Sequence, residues 1–306
     1  MISVIVNLFN NRREAKNTLH SLTAEYQRSN DYEVIVIDNG STEPITEDEV
    51  KAFGPQFRYR FIENALVPPA PGSNMACRAA RGSHLMVMID GAHILSPGIL
   101  KTAAMAFKQF DNPFVATTPF HIGEYLQNDA HLTGYTREVE DELIATVDWK
   151  TNGYKLFAIS NECADMSKGW FGCLFESGCF GIRRDTYMTM GGMDERFVSP
   201  GGGMVNLEFF SRAVLDPHLE YVVMIGEGTF HQYHGGVATS AAWTEHPWQR
   251  FHEEYKEILG RPYFRVPRLP FYMGSLRSQS MHAAKKSAVH GIRLWEEEFH
   301  LRPQDK

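Results

Sequence analysis

The chain has little of the chemistry that staples small secreted or metal-held domains. Its 306 residues include four cysteines, Cys77, Cys163, Cys173 and Cys179, and no C-x-x-C pair. That usage excludes a zinc ribbon and a dense disulfide framework, and it is what a reducing cytoplasm leads one to expect. Long apolar runs are missing as well. Nothing approaches the roughly 20 apolar residues of a membrane-spanning helix, and the start, MISVIVNLF, lacks a preceding basic segment, so it reads as a first strand. Basic charge is in deficit, with 30 Lys and Arg against 37 Asp and Glu, which excludes a nucleic-acid surface driven by bulk electrostatics. Several catalytic signatures are absent too. There is no G-x-x-x-x-G-K-[ST] phosphate loop, no G-x-G-x-x-G after the first strand, no H-E-x-x-H and no G-x-S-x-G.

What is present is an ordinary globular composition, 43% apolar, sufficient for one large core. Runs rich in β-branched residues alternate with helical patterns, which predicts an α/β fold with a mixed, mainly parallel sheet flanked by helices. The strand SVIVNLF is followed by Ala15, Leu19, Leu22 and Tyr26, an apolar stripe that predicts a helix over 12–29. YEVIVIDNGST is a buried strand running into Asp38, Asn39 and Gly40, and Arg58 to Asn64 supplies a third. Ser73 or Asn74 is placed to cap the helix NMACRAARG. LMVMID then carries Asp90 to a strand end, and Pro97 opens a helix to about Phe110. PFVATTPF, SGCFGIRR and EYVVMIGEGTFH are further strands, with VNLEFFSRAVL a helix before the last. Residues 136–176 carry no clear period. Beyond about residue 240 the texture becomes aromatic and charged, which predicts a helical C-terminal appendage (241–306) on a main domain (1–240).

In an open parallel sheet, ligands bind beyond the carboxyl ends of the strands. Asp38 and Asp90 occupy such ends, and His231 and His234 follow a third. Asp90 offers a hard oxygen, while His93, His231 and His234 offer imidazole nitrogens, a set suited to a divalent ion such as manganese. The plainer assignment for any one of these histidines is a backbone hydrogen bond in a crowded loop.

Four segments taken in order, SVIVNLFNN, EVIVIDNGSTEP, PGSNMACRAARGSHLMVMIDGAHILSPG and RRDTYMTMGGMDERF, resemble the family 2 glycosyltransferases of GT-A fold. The resemblance spans about residues 2–235 and implies a nucleotide-diphosphosugar donor and transfer to a hydroxyl of a glycan or small glycoside, with manganese or magnesium as cofactor. It places Asn7, Phe9, Asn10, Asp38 and Asn39 at the base and ribose, Asn74 and Arg78 beside the nucleotide, and Asp90 and Gly91 in the strand of the Asp-x-Asp signature. Here that signature reads DGAH, so Ala92 replaces the second aspartate. Some relatives use Asp-x-His with a distant histidine, which assigns Asp90, His93, His231 and His234 to the metal.

The segment corresponding to the family's GGEDxDL reads GMVNLEFFSR, with Asn206 where inverting enzymes keep a general base. Glu208 and Asp194 are the substitute catalytic carboxylates, with Glu195 and Glu176 as further alternatives. A retaining enzyme needs no such base, so the stereochemistry stays open. The competing reading is a GT-A module that has lost its chemistry and binds a nucleotide or glycan without transfer. The aromatic appendage, from Trp243 to Tyr272, serves as core packing, an acceptor groove, a peripheral membrane contact or a homo-oligomer interface.

Overall fold

The computed structural model describes residues 1–63, 65, 68–162, 168–242 and 244–299; Cys163 and Trp243 lie outside them. The first half alternates strand and helix as β1 (Ile2–Leu8), α1 (Arg12–His20), α2 (Ala24–Gln27), β2 (Tyr32–Asp38), α3 (Glu47–Lys51), β3 (Phe57–Phe61), α4 (Ala70–Ala79) and β4 (His84–Met88). Then come β5 (His93–Leu95), α5 (Ile99–Gln109), β6 (Pro113–Ile122), α6 (Ala130–Thr133), α7 (Arg137–Ala145), β7 (Ser160–Glu162), β8 (Phe180–Arg183), α8 (Arg184–Thr189), α9 (Val205–Leu215) and β9 (Glu220–His231). The last elements are α10 (Trp248–Leu259), β10 (Phe271–Gly274) and α11 (Met281–Phe299).

The main sheet runs β10-β9-β6-β8-β4-β1-β2-β3, with β5 added on β9 and β7 on β6. β1 and β2 are buried along their whole length, which is why they read as continuous β-branched runs rather than alternating ones. β1 pairs in parallel with β2 and β4, and β6 pairs in parallel with β9. β8 runs antiparallel between β4 and β6, so β1, β2, β4, β6 and β9 all deliver their carboxyl ends to one edge.

Local chemistry moves several predicted boundaries. The helix expected over 12–29 breaks after His20, because Ser21 Oγ donates to the Thr18 carbonyl at 2.7 Å and accepts the Leu95 N–H at 3.0 Å. Such hydroxyls compete with helical hydrogen bonding. Thr23 then caps α2. α4 starts at Ala70, one turn earlier than a Ser73 or Asn74 cap requires, because Pro69 and Pro71 are tolerated in a first turn. α5 starts at Ile99 and not at Pro97; the Glu227 carboxylate takes the Ser96 hydroxyl at 2.5 Å and the Gly98 N–H at 3.1 Å, which holds the entry loop open.

β9 does two jobs. Its first half pairs with β6 from Glu220 to Val223; after an irregularity opposite Ala116–Thr118, its second half pairs Gly228–His231 with Thr118–His121. Gly226 makes the bend, at φ +79, and a Cβ there would stand 2.1 Å from the Ser275 carbonyl oxygen. That close approach and the left-handed backbone both call for glycine. The C-terminal stretch supplies helices as expected and a strand in addition. β10 lies parallel on β9, Phe271 opposite Val222, and Phe251 and Tyr255 of α10 enter the larger hydrophobic core.

Candidate functional site

A cavity of about 690 Å³ opens at the carboxyl edge of the sheet. Asn7 and Phe9 follow β1 into it, Asn39 follows β2, Asp90 follows β4, and His121 and His231 end β6 and β9. Register explains the convergence. His93 on β5 is directly opposite His231 on β9, and His121 on β6 is opposite His231 on the other side. Facing partners on adjacent strands project to the same side of a sheet, so three imidazoles form a row. Their ring centroids are 4.8 Å apart for His93 and His231, and 5.4 Å apart for His121 and His231.

Asp90 Oδ2 lies 3.1 Å from His231 Nε2 and 3.2 Å from His234 Nε2, and the two nitrogens are 3.2 Å apart. Neighbouring ligands of an octahedral ion with bonds of about 2.1 Å stand about 3.0 Å apart. The triangle therefore matches one face of such an ion. Donor atoms of Asp90, His93 and His231 also lie within 4.8 Å of one another, and His93 Nδ1 is buried with no hydrogen-bond partner. This buried nitrogen beside the triangle is one more donor atom that a cation could engage. One carboxylate oxygen and two or three imidazole nitrogens fit a divalent first-row cation better than calcium.

The proton arrangement is equally directed. Gln127 Nε2 donates to the His231 carbonyl at 3.0 Å, which turns its Oε1 toward His231 Nδ1 at 2.7 Å. His231 must donate from Nδ1, so its Nε2 lone pair faces Asp90. The Gln127 N–H meets His121 Nδ1 at 3.2 Å. Burial pushes His93 down to about 3 and His121 well below its ordinary value, so both rings are neutral. Burial acts against charge on His234 too, but the facing Asp90 carboxylate outweighs it and raises that ring. Asp90 is held well below the carboxylate range, its burial outweighed above all by the facing His234.

The turn that carries His234 is strapped to two helices. The buried Glu140 carboxylate on α7 accepts the Tyr233 N–H at 2.8 Å, and Arg137 donates to the His234 carbonyl at 2.7 Å. Gln232 Nε2 donates to the Glu14 and Ala92 carbonyls at 3.1 and 3.2 Å, which ties the same turn to α1 and to the Asp90 loop.

At the β1 end, Asn10 adopts a left-handed backbone, φ 55. Its Oδ1 accepts the Thr42 N–H at 2.9 Å, joining the β1 and β2 loops, and Phe9 is left 46% exposed over the cavity. Asp38, by contrast, does not reach the cavity wall. It is buried under its own turn, where Oδ1 accepts the Ser41 N–H at 2.8 Å. Gly91 is also outside the lining and is a packing glycine, since a Cβ there would meet Leu8 Cδ2 at 2.2 Å. Asn74 and Arg78 lie outside it too. Asn74 is consumed by Met193 and Glu195, and Arg78 is an exposed side chain 4.0 Å from Glu195.

The two catalytic candidates also fall outside the lining. Glu208 is gripped by Arg212 at 2.7 and 2.9 Å, one helical turn away, and that guanidinium also holds the Gly192 carbonyl. Asp194 is paired with Arg196 at 2.6 Å. Both carboxylates are neutralised by arginines and serve the 190–196 turn. Of the carboxylates considered for catalysis, the one that lines the cavity is Glu176, which accepts from Asn206 Nδ2 at 3.3 Å. Burial raises its pKa, and the Asp90 charge adds to the effect. Trp248 and Phe251 of α10 close the wall on that side.

The model of glycosyl transferase family 2 matches residues 3–184, more than half of the chain. The chain belongs to glycosyl transferase family 2. No curated protein matches it at significant similarity. Among solved structures, S. aureus TarS 1–349 in complex with UDP-GlcNAc is 15% identical at TM-score 0.56, covering 98% of this chain and 73% of that one. The S. aureus TarS structure is 12% identical at TM-score 0.56; this chain is covered over 97% of its length but spans only 43% of that chain. Glucosyl-3-phosphoglycerate synthase from Mycobacterium tuberculosis, in complex with Mg2+ and UDP, is 18% identical at TM-score 0.46, covering 86% and 80%. At these identities the TarS structures establish the GT-A fold, the mixed, mainly parallel sheet described above.

In this glycosyltransferase several site-building residues carry no motif. Glu140 lies in the stretch without a period and Gln127 before it in a loop, and the sole hint is His121, the residue that follows the strand-like run PFVATTPF. Glu176 precedes β8 with nothing local to separate it from other acids.

Proposed function

We propose that this family 2 enzyme moves a sugar, of hexosyl type, from a nucleotide diphosphate to a hydroxyl of a glycan or small glycoside. One observation carries the reading: the triangle of Asp90 Oδ2, His231 Nε2 and His234 Nε2 belongs to the wall of one cavity, and Asn7, Phe9, Asn39, Glu176 and Asn206 line the same cavity.

Asp90, His231 and His234, with His93 in reserve, are the residues that would hold a divalent cation such as manganese. When bound, such a cation supplies Lewis-acid neutralisation of the leaving diphosphate. Phe9, left exposed over the cavity, offers a stacking face for the base. The acceptor oxygen forms the new bond to the anomeric carbon as the bond from that carbon to the phosphate oxygen breaks. The hydroxyl proton passes to Glu176, the carboxylate that burial makes more basic. Asn206 orients Glu176 by donating to it, which gives the amide at the family's base position a use. Trp248 and Phe251 exclude water and offer apolar surface to the acceptor.

The test is calorimetric titration of the full chain with UDP, GDP and dTDP, with and without manganese, for the wild type and His231→Ala. Metal-dependent binding of one nucleotide, abolished in the variant, is the expected result. Absence of binding to all three sinks the reading. Binding without transfer or slow donor hydrolysis would instead assign the chain to the non-catalytic class that Asn206 favours.

A further inference from the structure

From Ile258 to Phe299, the end of α11, the chain carries seven Arg and Lys against three Glu, Glu296, Glu297 and Glu298, with Arg293 paired to Glu297. With a net charge of −7 overall, this stretch at +4 leaves the remainder at −11. The same stretch exposes large apolar side chains, including Leu269 at 64%, Phe271 at 56% and Phe264 at 49%. On α11 the pattern is two-faced. Ala284, Gly291, Leu294 and Trp295 face inward, while Met281, Lys285, Val289 and Ile292, at spacings of four, four and three, form a stripe facing solvent. Val289 is 58% and Ile292 50% exposed.

α11 and β10 are neighbours, because Phe171 touches both. Its N–H donates to Ser287 Oγ at 2.8 Å, its carbonyl accepts from Trp295 Nε1 at 3.0 Å, and its ring packs 5.6 Å from that of Tyr272 on β10. Gly291 allows the helix this close, since a Cβ there would meet the Gly172 nitrogen at 2.6 Å.

A second copy is a poor occupant for this face. A two-fold contact would press like charge on like charge, and β10 is four residues long, follows Pro270 and ends at Gly274 with φ 130, so it offers little edge to extend. Nucleic acid fits no better. Arg261, Arg265 and Arg277 lie over the chain's own Tyr255 and Phe264, Phe175 and Tyr154 rings, and Arg268 is spent on the Val214, Asp216 and Leu219 carbonyls. Those guanidiniums give field rather than free hydrogen-bonding forks. A basic field around an exposed apolar stripe is what an interface with anionic lipid requires. Among the described residues no helix is long and apolar enough to cross a membrane, so attachment would be peripheral.

We propose that the face formed by α11, β10 and the loop before β10 docks on an anionic lipid bilayer. The inference is independent of the transfer chemistry. The test is co-sedimentation of the full chain with phosphatidylcholine vesicles, with and without phosphatidylserine, at rising salt. The expected result is salt-sensitive binding only where phosphatidylserine is present. Each basic residue near such a surface strengthens binding about fivefold, so Lys285→Glu should weaken it at least tenfold, and Val289→Ser with Ile292→Ser should do likewise. These side chains are exposed, so unchanged thermal unfolding and nucleotide binding should accompany the loss. No sedimentation with phosphatidylserine, or equal sedimentation of the variants, overturns the proposal. So does self-association without lipid that the same variants abolish, or competition by duplex DNA at equal strength.

Discussion

Replacing Gln127 by leucine tests the metal corner through a residue that touches no substrate. The wild-type amide accepts from His231 Nδ1 at 2.7 Å and donates to the His231 carbonyl at 3.0 Å, fully buried. Leucine has similar bulk and offers neither bond. A buried N–H left without an acceptor costs about 1–3 kcal/mol, and the ring becomes free to carry its proton on Nε2, the atom that faces Asp90. Loss of an outer partner of a ligating histidine weakens metal affinity roughly 10–100-fold, which is the same free energy expressed in another way. Calorimetric titration of manganese into the full chain measures it, with thermal unfolding as the control for folding. Gln127→Glu retains an acceptor for Nδ1–H and is expected to bind within about fivefold of wild type, since it loses a donor but not the tautomer. Wild-type affinity in Gln127→Leu, alongside loss of binding in His231→Ala, would refute the argument that Gln127 sets the reactive nitrogen.

Glu176→Gln is expected to lower kcat by roughly 10²–10⁴ with donor affinity little changed. Because Glu176 acts deprotonated and its pKa lies above the ordinary carboxylate value, the transfer rate should climb with pH through that raised value, and the limb should vanish in the variant; steady-state kinetics decide it. Glu208→Gln is the contrasting case, with kcat within a few-fold of wild type and a lower melting temperature, because Arg212 loses its partner. Burial lifts Glu140 to about 7 in spite of Arg13, Tyr135 and Tyr233. The folded state then binds that proton more tightly than the unfolded chain, so the contribution is complete below the ordinary carboxylate pKa and disappears as pH rises through about 7. Urea unfolding should show a loss approaching about 3 kcal/mol from this group between acidic and alkaline conditions, and a smaller pH slope in Glu140→Gln; equal slopes would contradict it.

The parallel core was legible because strands buried on both faces must be largely apolar, and β1, β2 and β4 carry the runs VIV, VIVI and LMVM. Asp90 and the pair His231 and His234 were legible because a polar residue closing such a run lies where ligands gather. Glu208 lies outside the cavity lining for a physical reason. A carboxylate on a helix has its direction decided by what sits one turn on, and here that is Arg212. Asp38 and Asn74 misled because short polar side chains beside a turn often satisfy the backbone instead of a ligand. β10 was illegible because four residues flanked by proline have little strand character of their own, and the free edge of β9 makes them one. His121 stayed hidden because its meaning comes from the strand beside it.

His93, His231 and His121 occupy one row because β5, β9 and β6 are zipped in a fixed alignment. Chemistry at this corner can be retuned by exchanging side chains where they stand, but lengthening β5 by a single residue would point Ile94 into the cavity and turn His93 away. Edits to this corner should therefore change letters at constant spacing, and natural variants with gaps inside 93–95 or 228–231 should be read as having lost the row of imidazoles.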